Sequence, residues 1–547
     1  MRRSEDAPPV RPQPAEVNAV ASAPPVAKQK TPALAKRKNG LNPWAQRLMW
    51  DAHSVSGVAL GLVLFVIFFA GAFALYRTQL DVWADPALRG SPQFSTDELV
   101  LPVFEEKPPA YGSDVLYVFP FGERRSTFLR YTAEGDSTLT LVQHSTTTGE
   151  ELARGGKSRL SLTLFQLHFL LQLRYILPGH SLIGIAIAGI IAVFLLFALL
   201  SGLLIHLRKL PQDWHTFRAK RTARTWLTDA HVVLGVVGLP FTLLFALTGA
   251  IISIMIIMQP QIVDGFFGGD ADAYQAAIYG TGIPEADSTG IPAVMLSPET
   301  LVAQLPEGWE GIDPITLTYE RWGDAGATAT LRGHISETLT TSGKATLNAA
   351  TGAVLTNNPP VTPTALGATY AVTEQLHYAD VGGWLLDALF FLLAMAASAV
   401  ILTGNVIWIV VRRPRDERAT PRTHYILGRL TVGFGCGLVA AVAAFFIIAQ
   451  ALPDGLEDRK VWEESLFFGV WGLLILAAFI GPTAQKAARW QLALSSVLCA
   501  LVPVANGLKT GGWLWASVHN GWWVTFWIDA GFIAASVLLG LFARRIR

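Results

Sequence analysis

The stretch TDAHVVLGVVGLPFTLLFALTGAI, residues 228–251, decides how this chain is read, because WDAHSVSGVALGLVLFVIFFAGAF at 50–73 repeats its plan. Each begins with Asp-Ala-His and is apolar thereafter. Each places one glycine four residues after the histidine (Gly57; Gly235) and another eighteen residues after it (Gly71; Gly249). On a helix both glycines fall within about 40° of the histidine's direction, and the second lies about 27 Å further along the axis, in the opposite leaflet of a bilayer.

Working outward, the 547 residues are 51% hydrophobic and only 15% charged, with a mean hydropathy of +0.39. That is the profile of a membrane protein. A formal net charge of +1 gives no sign of nucleic-acid binding. Cys436 and Cys499 are the only cysteines, and both lie in apolar runs, which excludes a disulfide framework and a thiolate-bound cluster. Residues 1–40, rich in Pro and Ala and without a signal-peptide core, are expected to form a disordered cytoplasmic tail.

Eight apolar segments reach spanning length, near 50–76, 181–206, 228–258, 384–411, 425–451, 465–481, 490–508 and 523–543. Basic clusters at Lys36–Lys38, through the loop at 207–227, at Arg412–Arg418 and at Arg544–Arg547 place both termini in the cytoplasm. The segments 77–165 and 259–375 then face the other side. Each has strand-like alternation and closes on a strand, a Thr-Gly turn (Thr148-Gly149; Thr351-Gly352) and a further strand. The expected fold is a polytopic α-helical membrane protein with two small α+β outer domains. It is built from tandem helix–domain–helix repeats at 45–206 and 228–411, with four added helices at 424–547.

The duplication extends to the histidines. Spans two and four follow Gln166-Leu167-His168 and Gln375-Leu376-His377, and both carry a small-residue–glycine pair, Ser201-Gly202 and Thr403-Gly404. His53 and His231 are thus expected in one leaflet, and His168 and His377 in the other. Ionisable groups at membrane depth usually face a bundle interior, and imidazole is a common axial ligand of haem iron. Two facing pairs with glycines beside them are the arrangement expected for two stacked haems. Asp51 and Asp229 are read as helix caps or as acceptors for the histidines, with capping preferred. His206 competes with His53 or His231, and His180 competes with His168. His424 is assigned to the added helices, and His144, His215, His334 and His519 to surfaces.

These residues resemble the PepSY-associated transmembrane family, which includes iron-regulated inner-membrane proteins and ferrisiderophore reductases. The most specific part is SGLLIHLRKLPQDWHTFRAKRTARTWLTDAHVVLGVVGLPFTLLFALTG at 201–249, and the resemblance covers about residues 45–412. It implies PepSY-like periplasmic domains and two b-type haems with His53, His168, His231 and His377 as axial ligands. It also implies reduction of ferric iron, often siderophore-bound, at the periplasmic face of the bacterial inner membrane. His206 matches a histidine of one branch of the family. A second histidine that some members carry is Gln172 here. The expected partners are a ferric siderophore or periplasmic iron carrier, membrane lipid, and a cytoplasmic reductase or quinol as electron donor, since no dinucleotide fingerprint is present. The competing readings are a membrane-anchored, partner-binding protein without catalysis and a transporter.

Overall fold

In a computed structural model the chain is described over residues 42–546, apart from 121–123, 154–155, 178–179, 181, 208–217, 219–221, 280–287, 335–338, 340–341, 360–363, 380 and 413–420. The tail at 1–40, most of the basic loop at 207–227 with His215, and Arg413, Arg415 and Arg418 lie outside the described residues.

The first repeat runs through α1 (Pro43–Ala74), α2 (Arg77–Ala84), α3 (Thr96–Glu106), β1 (Val115–Val118), β2 (Ser126–Thr132), β3 (Leu139–Ser145), α4 (Leu160–His168), α5 (Leu173–Ile176) and α6 (Ile183–His206). The second runs through α7 (Ala223–Val237), α8 (Leu239–Phe267), α9 (Ala271–Tyr279), α10 (Pro298–Ala303), β4 (Asp313–Glu320), β5 (Thr328–His334), β6 (Gly343–Asn348), β7 (Val354–Asn358), α11 (Ala365–Tyr378) and α12 (Gly383–Val411). The added helices are α13 (Arg422–Ala451), α14 (Arg459–Ile480), α15 (Ala484–Thr510), α16 (Leu514–His519) and α17 (Trp523–Arg545). Eight of the described helices, α1, α6, α8, α12, α13, α14, α15 and α17, are long and apolar enough to cross a membrane. The protein is a polytopic α-helical membrane protein.

The third span differs from the single helix expected at 228–258. It divides into α7 and α8 at Gly238, because Pro240 has no N–H to give the preceding turn. His231 therefore lies on a separate, shorter helix. The caps also differ from expectation. Asn42 caps α1 and Thr222 caps α7, which leaves Asp51 and Asp229 in helix interiors. Asp229 instead receives the Arg218 guanidinium on both oxygens, at 2.9 and 2.6 Å, and so ties the preceding loop to α7.

The two outer domains share one antiparallel sheet in the order β3-β2-β1-β4-β5-β6-β7. Its centre is the β1–β4 pair, in register from Val115↔Tyr319 to Val118↔Thr316, so the join runs between the repeats. Both Thr-Gly turns form with left-handed glycines (Gly149 φ 76°, Gly352 φ 73°). The second leads into β7, and the first leads only into an isolated bridge, His144↔Glu151. Beneath α3 and α10, one face of the sheet buries Tyr117, Tyr131, Leu317, Tyr319, Leu331 and Leu347. The two helices cap each other reciprocally. Glu299 of α10 accepts from the Thr96 and Asp97 N–H groups at 2.7 and 3.3 Å. Asp97 of α3 accepts from the Ser297 hydroxyl at 2.5 Å and the Glu299 N–H at 3.1 Å. A carboxylate from each repeat thus sits on the positive end of the other repeat's helix.

Asp324 is a second staple. It accepts from Tyr111 Oη of the first repeat at 2.8 Å, and from Thr289 Oγ1, Gly290 N and Gly326 N of the second at 2.6, 2.9 and 2.7 Å. These donors, the Thr289 hydroxyl foremost, hold its carboxyl well below the usual carboxylate range.

Among the added helices α13 is the most enclosed. Its glycines admit neighbours closely: a Cβ on Gly433 would lie 2.7 Å from the Ile475 backbone, and one on Gly435 would lie 2.9 Å from Leu402. Buried polar links fasten α14, α15 and α17 to the first repeat. Arg89 donates to Asn506 (2.9 Å) and Thr510 (2.8 Å), and Asp529 accepts from Asn506 (2.8 Å) and from the Trp83 indole (2.9 Å). Ser158 donates to Glu463, which also pairs with Arg459.

A carboxyl with a depressed folded pKa stabilises fully above its unfolded value, about 4, and that contribution declines as the pH falls below it toward the folded value. Thermal melts of detergent-solubilised protein between about pH 7 and pH 3 should therefore show wild type losing more stability on acidification than Asp324→Asn, while Asp324→Ala melts lower than wild type at pH 7.

Candidate functional site

The four repeated histidines come together in two pairs. The His53 and His231 ring centres are 6.2 Å apart with planes at 71°, and those of His168 and His377 are 5.9 Å apart at 32°. One long helix places the two pairs. α1 carries His53 near its start and receives His168 beside Gly71 near its end, and the fourteen residues from His53 to Ile67 span about 21 Å. Since α1 leads into the sheet at its C-terminal end, His168/His377 is the sheet-side pair and His53/His231 the far-side pair.

Each ring is seated in the same way. His53 Nδ1 lies 2.8 Å from the Ala198 carbonyl of α6, His168 Nδ1 lies 2.8 Å from the Ile67 carbonyl of α1, and His231 Nδ1 lies 2.9 Å from the Val400 carbonyl of α12. A carbonyl only accepts, so these three imidazoles carry their proton on Nδ1 and keep the lone pair on Nε2. The fourth, His377, places Nδ1 2.9 Å from Thr248 Oγ1 of α8. That hydroxyl lies 2.8 Å from the Leu244 carbonyl, to which it donates, so it too accepts from the ring. None of the four Nε2 atoms has a hydrogen-bond partner among the described residues.

Beside each acceptor is a glycine that lets the ring approach. A Cβ on Gly71 would lie 2.6 Å from His168 Nδ1, and one on Gly202 would lie 2.9 Å from His53 Cε1. One on Gly249 would lie 3.1 Å from His377 Cε1, and one on Gly404 would lie 3.2 Å from His231 Cε1. Gly71 and Gly249 are thus seats for the sheet-side imidazoles themselves. Gly57 has no neighbour within 4 Å of a built Cβ and borders open space, and Gly235 makes an ordinary van der Waals contact with Val400 at 3.8 Å. Gly202 and Gly404 belong to the site although sequence reasoning counted them only as marks of the repeat. Their signal was the small-residue–glycine pair, which recurs in all four seats as Ala70-Gly71, Ser201-Gly202, Thr248-Gly249 and Thr403-Gly404.

The other histidines separate from this set. His206, half-buried in the last turn of α6, lies within electrostatic reach of both His53 and His231, yet those two rings pair with each other. His180 is exposed. Gln172 donates to the Thr163 carbonyl at 3.1 Å and so braces the turn after α4. His424 stacks on Trp408 at 4.8 Å, at the position in the second repeat that corresponds to His206. His519 is exposed and His144 half-buried, while His334, expected on a surface, is buried at the end of β5.

A duplicated membrane bundle under a shared α+β sheet, with paired imidazoles at two depths, defines the class. The chain belongs to the family described as the PepSY-associated TM region, whose model matches residues 50–410. It is also similar to an uncharacterized protein of Pseudomonas aeruginosa, with 25% identity over 335 residues, covering 60% of this chain and 82% of that protein.

Side chains forced into a seat cost about 1–3 kcal/mol by overpacking. Gly71→Val should lower the Tm of the purified protein accordingly, whereas Gly57→Ala, placed in open space, should leave it unchanged.

Proposed function

We propose that this protein holds two b-type haems, one on His53 and His231 and one on His168 and His377. On this reading it carries electrons across the bacterial inner membrane to reduce ferric iron, bound to a siderophore or a periplasmic carrier. The observation that carries the reading is the common state of the four imidazoles: Nδ1 is given to a neighbouring helix, and Nε2 has no hydrogen-bond partner among the described residues, on a ring whose centre lies 6.2 or 5.9 Å from that of a second imidazole.

The donor set fits the group. His53 with His231, and His168 with His377, would hold the iron of such a group, their ring centres lying 6.2 and 5.9 Å apart. Among the described residues no three His, Cys, Asp or Glu side chains gather that could hold a bare ion. Two protein ligands per site suit an iron whose remaining positions a porphyrin fills, whereas zinc or non-haem iron takes three or four. Haem, when bound, supplies a one-electron carrier at each depth. The chain's own contribution is to fix each ring's tautomer and direction through Nδ1, to border the pairs with unbranched glycine, and to exclude water with apolar helix faces. Phe245, 5.4 Å from the His377 ring, and Phe390, 5.5 Å from Phe245, do so beside the sheet-side pair.

Electrons come from quinol or from a cytoplasmic reductase, and the far side faces the cytoplasm, a reading supported by Arg218, Arg412, Arg544 and Arg545 at that end of the bundle. The shared sheet covers the side where ferric chelate is reduced. Ferrous iron binds hard-oxygen chelators weakly, so reduction also releases the metal.

The test is a proteoliposome with reductant enclosed, ferric hydroxamate outside and a ferrous-specific chromophore as the readout. Wild type should develop colour, and His53→Ala and His168→Ala should each lose at least about tenfold in rate, since even a ligand's supporting residues are worth that much. Equal rates in wild type, both variants and empty vesicles would remove the proposal.

A further inference from the structure

The four seats are built alike, yet one of them receives its imidazole differently. Counting back four residues from each seat glycine gives Ala198, Val400 and Ile67, and these three carbonyls take the Nδ1–H of His53, His231 and His168. The corresponding carbonyl in the fourth seat is Phe245, but His377 Nδ1 is bonded to Thr248 Oγ1 instead.

A hydroxyl in the seat does not by itself explain the difference. Ser201 and Thr403 stand at the matching places in the far-side seats, and each donates to the carbonyl three residues back, Ala198 at 3.0 Å and Val400 at 2.9 Å. That carbonyl remains the nearer acceptor for the ring: Thr403 Oγ1 is 3.3 Å from His231 Nδ1, against 2.9 Å for the Val400 oxygen. Thr248 makes its shorter bond to the carbonyl four residues back, Leu244, at 2.8 Å, with Phe245 at 3.4 Å. In that rotation the Thr248 oxygen is the hydrogen-bond partner of the ring. The equivalent residue in the first repeat is Ala70, which has no hydroxyl, and there the ring reaches the main chain.

We propose that Thr248 is a positioning residue that makes the sheet-side haem site the more readily reduced of the two, by giving His377 an alcohol instead of an amide carbonyl as its hydrogen-bond acceptor. The inference rests on the haem reading above. An amide oxygen draws more strongly on the Nδ1–H than an alcohol oxygen does, which makes the imidazole a more basic ligand and favours ferric iron. The far-side site has two such carbonyl-bonded ligands and the sheet-side site has one. A more readily reduced sheet-side site is what electron flow from the far side toward the sheet requires.

The experiment is a spectroelectrochemical titration of the full-length, haem-loaded protein in detergent, with haem counted per chain, for wild type, Thr248→Ala, Thr248→Ser and His53→Ala. Wild type should titrate in two steps. In Thr248→Ala the higher step should move down while the lower one stays, with two haems retained. Thr248→Ser should hold the wild-type value because it keeps the hydroxyl, and His53→Ala, which removes a far-side ligand, should leave only the higher step. Unmoved steps in Thr248→Ala, movement of the lower step instead, or an equal shift in Thr248→Ser would each overturn the assignment. If Thr248→Ala loses its haem, His53→Ala decides alone: one remaining step at the higher value supports the proposal and one at the lower value refutes it. Wild-type protein without haem would overturn the haem reading itself, an outcome distinct from two haems with unshifted potentials.

Discussion

An imidazole N–H inside a membrane-spanning bundle has no water to bond, so the acceptor it finds fixes where the ring lies. In this protein the acceptors belong to a neighbouring helix, and three of the four are main-chain carbonyls already committed to the helical ladder. Such an oxygen has a second lone pair, but a side chain reaches it only where the facing residue has no Cβ. The seat glycines therefore precede everything else in the site. They bring α1 against α6, α4 against α1, α7 against α12 and α11 against α8, and the same contacts that pack the bundle orient the rings. The resulting tautomer, with Nδ1 protonated and Nε2 free, is the one a metal–imidazole bond needs.

The sheet follows from the same duplication. Two outer domains, each too small to cover its own strands, share a core by pairing β1 with β4, and Asp97, Glu299 and Asp324 satisfy across the repeat boundary donors that would otherwise be left open. The added helices are held through Arg89, Asn506 and Asp529 and through Ser158, Glu463 and Arg459. These links are polar and buried, where truncating one partner leaves an uncompensated group. Their placement ties the added helices to α2 and to the residues just before α4, the short helix that carries His168, and so gives them a bracing role beside the sheet-side pair.

Much of this was legible in the sequence, for identifiable reasons. Eight spans follow from hydropathy, and the two histidine pairs follow from asking which polar residues recur at equivalent depths. What escaped depended on contacts between distant segments. The β1–β4 join links strands far apart in the chain through backbone bonds that carry no residue signature. The partner of Asp229 is an arginine in a loop, so a cap was the natural reading for an acidic residue ahead of an apolar run. Gly71 and Gly249 stand out in the sequence by their spacing from the histidines, but what fills the space beside them depends on residues from other helices. Thr248 differs from Thr403 only in which carbonyl its hydroxyl chooses, a matter of one side-chain rotation. The break at Gly238 is the opposite case: Pro240 announces it, and only the evident span length argued for a continuous helix.

The central claim is that the two histidine pairs are two bis-imidazole haem sites, and its most direct test is the haem content of the purified chain together with the electron paramagnetic resonance spectrum of the oxidised protein. The account predicts two haems per chain, both low-spin with two nitrogen axial ligands, and one haem with one remaining signal in His231→Ala. A chain purified without haem from cells supplied with haem precursor, or with haem whose signals survive unchanged in His231→Ala and His377→Ala, would contradict it.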